Sequence, residues 1–403
     1  MTSFDTSPTL NVWRALLALA VVFVMLATTG WSAARHHRGA STPLELALAA
    51  WERGGIDGHK LPDPDGSSGR IAHFFGTLTA AQKTRLVHRY PLAVGNMAGA
   101  PVQLRYAANR IAIDQARAVE RERMHDKRLS DSGRYEAGRR MHRFESLMQP
   151  ERQILAFDPM GPGRVAEVLG NLDRAQRVSV IVPGVDTNLL TYQKTFGKFT
   201  APRGMANALY NQQREDSPRG RTAVIAWADY TAPVGVGMDA ATAKRAEDGS
   251  GRLNSLVRAL PGASSVALYC HSYGSVVCGV AARELPSRVT DIAVAGSPGM
   301  RAETVDGLGT TARVWATRDA DDWIQDIPHM EVGGLGHGAD PVSGAFGARV
   351  MSAEGAIGHT GYFQPGTESL RNFARIGLGQ YDSVSCAGGG DACRNTSSGS
   401  VPA

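Results

Sequence analysis

Residues 264–277 have the sequence SSVALYCHSYGSVV, in which a short apolar run leads into a serine and a second apolar run follows. This order is typical of a nucleophile elbow, where a strand turns sharply into a helix and the serine lies at the apex. The flanking residues must be small because so tight a turn brings neighbouring backbone close to the serine. The stretch therefore predicts Ser272 as a nucleophile, with a buried strand and an inert turn as the alternative. The usual G-x-S-x-G pattern is altered only at Cys270, which replaces the first glycine with another small residue.

A nucleophilic serine requires a general base, and the base requires a carboxylate that orients it. In enzymes with such an elbow the three groups follow one another as serine, acid and histidine. The strand predicted over residues 312–317 runs into a loop rich in carboxylates. We expect Asp322 to be the acid, because Ile324 can pack beneath the loop two positions later. Asp319 and Asp321 remain alternatives on the same loop.

The general base is expected further along the chain, on a loop that can reach over the strand ends. His359 fits this expectation, since glycines flank it closely and a predicted helix follows. His337, which lies directly between two glycines, is the competing candidate. His329 and His271 are weaker candidates, because a lone histidine is more often structural.

The oxyanion of a tetrahedral intermediate requires backbone N–H donors. One donor should be the amide of Tyr273, the residue after the nucleophile. The other should come from the loop after an earlier strand, predicted over residues 178–182. Gly184 in that loop allows a turn that points the amide of Val185 or Asp186 into the site.

Strand and helix patterns alternate from about residue 150 onward, which predicts a mainly parallel sheet with helices on both faces. The proposed site residues all follow predicted strands, where active residues gather in such folds. We further expect the preceding helical region to cover the site. The predicted parts of the chain are a signal peptide or membrane anchor (1–34), a spacer and helical accessory region (35–150), a catalytic domain (151–382) and a flexible Gly/Ser-rich tail (383–403).

Several motifs together resemble an actinobacterial-type family of α/β-hydrolases, catalogued as a domain of unknown function, that carries an HSYGS elbow. The resemblance covers about residues 70 to 380 and includes the elbow at residues 271–275. It implies an α/β-hydrolase fold and a Ser/Asp/His site, but it implies no particular substrate. The other matching stretches are PLAVGN (91–96), GAP (99–101), ANR (108–110), PGVDT (183–187), GSPGM (296–300), HGADP (337–341), FGARV (346–350) and GHTGY (358–362).

Composition narrows the possible functions. The 403 residues are 43% apolar and 20% charged, and 43 basic against 38 acidic residues give a net charge of +5. This charge is mild for the length and is not clustered as nucleic-acid binding requires, so no nucleic-acid partner is expected. The sequence contains no P-loop, CxxC pair, HExxH or dinucleotide-binding glycine motif. We therefore expect neither a metal nor an organic cofactor.

The N-terminus carries a localisation signal. Residues 15–34 are mostly apolar and uncharged, follow Arg14 and end in small residues. Such a segment predicts a cleaved signal peptide or a single membrane anchor. We expect a secreted or cell-envelope protein, in which disulfides are permitted. Two pairings are possible, Cys386 with Cys393 in the tail and Cys270 with Cys278 across the elbow.

The sequence as a whole predicts a serine hydrolase that acts through an acyl-enzyme, with a small or lipid-like carboxylic ester as substrate. Two alternatives remain open. An acyltransferase would use the same three residues with an acceptor alcohol in place of water. A non-catalytic envelope-binding module would keep the fold without turnover, since fold alone does not guarantee function. The sequence indicates no oligomeric state.

Overall fold

The computed structural model describes residues 41–394. The strands of this part of the chain are β1 (Gly55–Ile56), β2 (His59–Lys60), β3 (Gln153–Asp158), β4 (Arg164–Gly170), β5 (Arg177–Val182), β6 (Thr222–Ala228), β7 (Ser265–His271), β8 (Val289–Ala295), β9 (Arg313–Thr317), β10 (Glu331–Val332), β11 (Leu335–Gly336) and β12 (Arg349–Val350). Eight of them form a central sheet with the spatial order β12-β9-β8-β7-β5-β6-β4-β3. The two remaining pairs of very short strands form hairpins, β1–β2 and β10–β11.

The sheet is parallel from β12 to β6, and the two pairings at one edge, β6 with β4 and β4 with β3, are antiparallel. The predicted mainly parallel sheet is therefore confirmed. Its central strands are almost entirely buried, and in β6 all seven residues are buried. Strands covered on both faces need continuous apolar runs, which is what the sequence provides there.

Helices cover both faces of the sheet. The helices are α1 (Pro43–Glu52), α2 (Ser68–Thr77), α3 (Ala80–Arg89), α4 (Pro91–Asn96), α5 (Val102–Arg123), α6 (Asp131–Leu147), α7 (Pro202–Asp216), α8 (Met238–Ala241), α9 (Lys244–Ala259), α10 (Gly274–Ala281) and α11 (Glu368–Leu378). Successive residues of β6 point to opposite faces and enter different cores. Ile225 lies in the core that contains residues of α9 and α10, whereas Val224 lies in the core that contains residues of α7 and α11.

The structure differs from the predicted spacer before residue 70. Residues 43–60 form α1 and the β1–β2 hairpin. Trp51 on α1 is fully buried and stacks against Phe75, with ring centroids 6.1 Å apart. Tyr90 meets the same indole edge-on at 5.5 Å. A few aromatic residues thus build a small core of their own, and the start of the predicted spacer and helical accessory region (35–150) is part of it.

The segment after residue 383 also differs from the predicted flexible tail. Up to residue 394, Val384, Cys386 and Cys393 are buried, and a disulfide joins the two cysteines. Arg349 of β12 donates to the carbonyl oxygen of Cys393 at 3.0 Å. The disulfide loop therefore packs against the β12 edge of the sheet instead of extending away from it.

The predicted signal peptide or anchor (residues 1–34) lies outside the described residues. Between residues 41 and 394, no helix combines the length and apolarity needed to cross a bilayer. Secretion or anchoring through the N-terminus remains a prediction.

Candidate active site

Ser272 lies at the apex of a strand–turn–helix junction. β7 ends at His271 and α10 begins at Gly274. Ser272 has φ of 55°, a left-handed conformation that a non-glycine residue rarely adopts. Gly274 permits this turn, because a Cβ there would lie 2.2 Å from the carbonyl oxygen of Val182. Strain of this kind clusters at functional sites, where surrounding structure holds it in place.

Cys270, the residue that replaces glycine in the elbow, forms a disulfide with Cys278. The bond joins the end of β7 to the middle of α10, on either side of the serine. All four cysteines of the chain are disulfide-bonded. The cysteine in the elbow therefore fits the tight turn and also fixes the helix to the strand.

A continuous chain of hydrogen bonds leads from the serine to a buried carboxylate. Ser272 Oγ lies 2.8 Å from His359 Nε2, and His359 Nδ1 lies 2.8 Å from Asp322 Oδ1. Since the ionised carboxylate can only accept, Nδ1–H donates to Asp322 and Nε2 accepts from the serine hydroxyl. This is the tautomer that a general base next to a serine requires.

Asp322 is fully buried and has two further donors. The hydroxyl of Tyr362 donates to its Oδ2 at 2.5 Å, and the amide of Ile324 donates to its Oδ1 at 2.9 Å. Burial acts to raise the pKa of Asp322, but the hydrogen bonds from His359, Tyr362 and Ile324 outweigh it and lower the pKa below the usual value. The carboxylate is therefore held ionised in a fixed orientation.

The structure separates the alternative acids from the histidine. Asp321 is exposed to solvent. Asp319 accepts from the amide of Gly358 at 2.7 Å and so binds the loop that carries His359, not the imidazole itself. Its own amide donates to the Tyr362 hydroxyl at 3.0 Å.

The alternative histidines also have other partners. His337 Nε2 donates to the carbonyl of Ala240 at 2.6 Å, and its ring meets the Tyr273 ring at 5.6 Å. His329 Nε2 lies 3.4 Å from the carbonyl oxygen of Ser297. Neither of these histidines is hydrogen-bonded to the serine.

The loop after β5 approaches the serine closely. A Cβ at Gly184 would lie 2.6 Å from Ser272 Cβ and 3.0 Å from Oγ. The amide of Asp186 donates to the carbonyl of Pro233 at 2.8 Å, so it is occupied. The amides of Val185 and Tyr273 have no hydrogen-bond partner among residues 41–394. Of the two candidate donors in this loop, Val185 is therefore the one left available, and we correct the alternative that placed Asp186 in this role.

Two residues that sequence reasoning did not single out shape the site. Tyr362 donates a hydrogen bond to the Asp322 carboxylate, and its spacing from His359 in the sequence does not indicate this contact. Gly296, directly after β8, has φ of 54°, and a Cβ there would lie 2.7 Å from Asp322 Oδ2. The sequence did offer a signal for Gly296, because it directly follows a buried strand and begins a GSPG stretch.

His271 stabilises the loop that carries His359. Its Nε2 donates to the backbone carbonyl of His359 at 2.6 Å, and the two ring centroids lie 5.0 Å apart. Burial, together with the nearby His359, lowers the pKa of His271 to about 4. The ring is therefore neutral at neutral pH and holds a proton for this hydrogen bond.

We expect His271→Asn to reduce the pH dependence of stability between pH 4 and 6.5. In that window the unfolded chain, with the usual pKa of 6.5, binds a proton that the folded chain does not, so stability falls as the pH falls. Removing this group should flatten the slope of the unfolding free energy by up to about 1.4 kcal/mol per pH unit. Urea unfolding at several pH values measures the slope. Equal slopes for both proteins below pH 6.5 would contradict the assignment, whereas above pH 6.5 equal slopes are expected.

The segments that border the serine are not those expected from the sequence. The helical region before residue 150 packs on the β3 edge, where the Asn96 side chain donates to the carbonyl of Phe157 at 2.8 Å. β3 is separated from β7 by three strands. The site is bordered instead by residues 233–242, since Tyr273 donates its hydroxyl proton to the carbonyl of Thr242 at 2.8 Å.

Apolar side chains are exposed on the loops around the serine. Trp323 lies against His359 with ring centroids 4.7 Å apart and is 45% exposed. Ile357, two residues before His359, is 81% exposed. Val234 and Val236 project from the segment that Asp186 binds through its amide and side chain. These four residues are here called the apolar rim.

Comparison with known proteins agrees with this architecture. Residues 158–332 match a family model described as alpha/beta hydrolase. The match includes Ser272 and Asp322 and ends before His359. Together with the mainly parallel eight-stranded sheet, it gives the protein an α/β-hydrolase fold.

The similar proteins of known sequence do not identify a substrate. Two proteins of Mycobacterium tuberculosis, "Uncharacterized protein Rv2079" and "Uncharacterized protein MT2140", are 27% identical over 392 residues. The match covers 82% of this chain but only 58% of theirs.

Among solved structures, a serine hydrolase without a lid from Xanthomonas campestris is 19% identical over 43% of this chain and 74% of its own, with a TM-score of 0.28. A serine hydrolase homologue from Coxiella burnetii is 12% identical over 44% of this chain and 77% of its own, with a TM-score of 0.26.

Proposed function

We propose that this protein is a serine hydrolase that cleaves carboxylic esters through an acyl-enzyme. The observation that carries the proposal is the hydrogen-bonded chain from Ser272 through His359 to Asp322, with the serine in a strained elbow. A serine with a positive φ, beside an imidazole held in the correct tautomer, has the geometry of an activated nucleophile. An inert turn requires none of these features.

The geometry supports one sequence of steps. Ser272 Oγ attacks the ester carbonyl carbon while His359 Nε2 takes the hydroxyl proton, and the amides of Tyr273 and Val185 stabilise the oxyanion. His359 then gives the proton to the departing alkoxide, so that an alcohol leaves and the acyl group stays on the serine. Water attacks this acyl-enzyme by the same route and releases the carboxylic acid. Asp322 keeps its charge and stabilises the imidazolium.

The apolar rim favours substrates with an apolar acyl or alcohol part. Exposed apolar groups that border a site contribute binding when a ligand removes them from water, at roughly 25 cal/mol per Å². Trp323 is the nearest of them to His359, and its exposed face is available to a chain that leaves the reacting carbonyl. We therefore expect longer aliphatic esters to react better than acetate esters.

A fluorophosphonate probe tests the proposal directly, because it reacts with activated serines. The native protein should acquire one adduct, which peptide mass spectrometry should locate on Ser272, and the heat-denatured protein should acquire none. In a p-nitrophenyl ester series, kcat/KM should rise from acetate to octanoate. A folded protein that stays unlabelled, or is labelled elsewhere, would contradict the nucleophile. Labelling without turnover of any ester would contradict hydrolysis and favour transfer to another acceptor.

A further inference from the structure

A cavity lies away from Ser272, His359 and Asp322, none of which lines it. It has a volume of about 400 Å³ and lies between α1, α2, α9 and one face of the sheet. This volume falls in the range of small-molecule sites, roughly 300–1,000 Å³. Its sheet-side wall includes Trp227 of β6 and Ala156 of β3.

Arg105 is a buried charge in the wall of this cavity without an acidic partner. The residue is 6% exposed, and its Nε donates to the carbonyl of Gly95 at 3.2 Å. Its two terminal nitrogens have no hydrogen-bond partner among the described residues. The nearby Asp229 is already paired with Arg252 at 2.7 Å. Burial lowers the pKa of Arg105 to about 10, which still leaves the guanidinium charged at neutral pH.

The N-terminus of α2 opens on the same cavity. Ser67, the N-cap residue, and Ser68 both line it. The amides of Ser68 and Gly69 have no partner within residues 41–394, and the first turn of this ten-residue helix contains no acid. The partial positive charge of a helix N-terminus and the guanidinium of Arg105 therefore bound one space, and both favour an anion.

The ion pairs around the wall leave one buried cation without a counter-charge. Asp229 pairs with Arg252, and Arg258 has Glu284 at 4.0 Å outside the wall, so Arg105 is the lining arginine without an ion pair among the described residues. Asp65 is exposed at the edge of the cavity and would oppose a doubly charged ligand. Apolar side chains form a further part of the wall and suit an aliphatic or aromatic body; those with accessible surface include Leu44, Leu48 and Leu256.

We propose that this cavity binds an organic monocarboxylate with an apolar body, whose carboxylate pairs with the guanidinium of Arg105. The fork of N–H donors on arginine matches a carboxylate in two parallel hydrogen bonds. The apolar body lies against Leu44, Leu48 and Leu256 and is removed from water. The site is separate from the proposed catalytic serine, so its occupancy does not depend on hydrolysis.

Isothermal titration of the full chain with octanoate tests this site, with inorganic phosphate as the competing anion. Arg105→Met should weaken octanoate binding about 10- to 100-fold, the loss expected for a charge-assisted pair. Arg121→Met, an exposed arginine on the same helix, should bind like the wild type. Ser255→Trp, at an exposed position of the wall, should block binding while leaving Arg105 intact.

Each outcome bears on the carboxylate site. Absence of octanoate binding to the wild type, or equal binding to Arg105→Met, would overturn it. Phosphate that binds as tightly as octanoate and equally needs Arg105 would overturn the choice of a monocarboxylate. If circular dichroism shows that Arg105→Met does not fold, Ser255→Trp decides, because unchanged octanoate binding to that variant excludes this cavity. Fluorophosphonate labelling of Ser272 is a separate measurement, so the serine-hydrolase proposal and the carboxylate-site proposal can each fail while the other stands.

Discussion

Asp322→Asn is expected to lower kcat for ester hydrolysis about 10⁴-fold, the loss that the same change causes in serine proteases. The carboxylate stabilises the imidazolium that forms when His359 takes the serine proton, and a neutral amide cannot do so. The amide also places an NH₂ group among three donors, from His359, Tyr362 and Ile324. One of these hydrogen bonds must be lost or reversed, which disturbs the orientation of the imidazole.

The neighbouring aspartates provide matched controls for this prediction. Asp321→Asn changes an exposed carboxylate one residue earlier and should leave kcat close to that of the wild type. Asp319→Asn weakens the hydrogen bond to the Gly358 amide and should cost far less than Asp322→Asn. Steady-state kinetics on one p-nitrophenyl ester measures all three variants, with thermal unfolding to verify the fold. A loss at Asp319 or Asp321 that equals the loss at Asp322 would refute the assignment.

The sequence was sufficient to predict the sheet and the three residues that the structure hydrogen-bonds together. Ser272 follows a short apolar run, and the strand ends of a parallel sheet gather at one edge, so the order of motifs already brings the groups near one another. Choosing Asp322 depended on one local argument, the apolar Ile324 two positions later. Ile324 is indeed buried, and its amide also donates to the carboxylate, which no pattern of side chains could reveal.

Other features depend on contacts between segments distant in sequence. Tyr362 and Gly296 meet Asp322 from two segments distant in sequence, and His271 reaches the carbonyl of a residue 88 positions later. The occupied amide of Asp186 depends on Pro233, in a loop that the sequence analysis did not connect to the site. Such contacts follow from how loops pack above the sheet, whereas periodicity reports only which face of an element is apolar.

Gly184→Ala is expected to lower kcat about 10²- to 10³-fold, the size of the loss when one oxyanion donor is removed. The added methyl would lie 2.6 Å from Ser272 Cβ and 3.1 Å from the carbonyl oxygen of His271, so the backbone of the loop must shift. That shift carries the amide of Val185 away from the oxyanion. Since the substrate's apolar part binds elsewhere, KM should change far less than kcat.

The loop has little freedom to absorb the methyl group. The hydroxyl of Tyr230 donates to the carbonyl of Pro183 at 2.6 Å on one side of Gly184. On the other side the amide of Asp186 donates to Pro233 at 2.8 Å. Gly237→Ala is the matched control, because a Cβ there meets nothing within 4 Å on the adjoining loop, and it should retain wild-type kcat. If Gly184→Ala keeps wild-type kcat with an intact fold, the loop after β5 does not supply an oxyanion donor, and the amide of Tyr273 must act with a different partner.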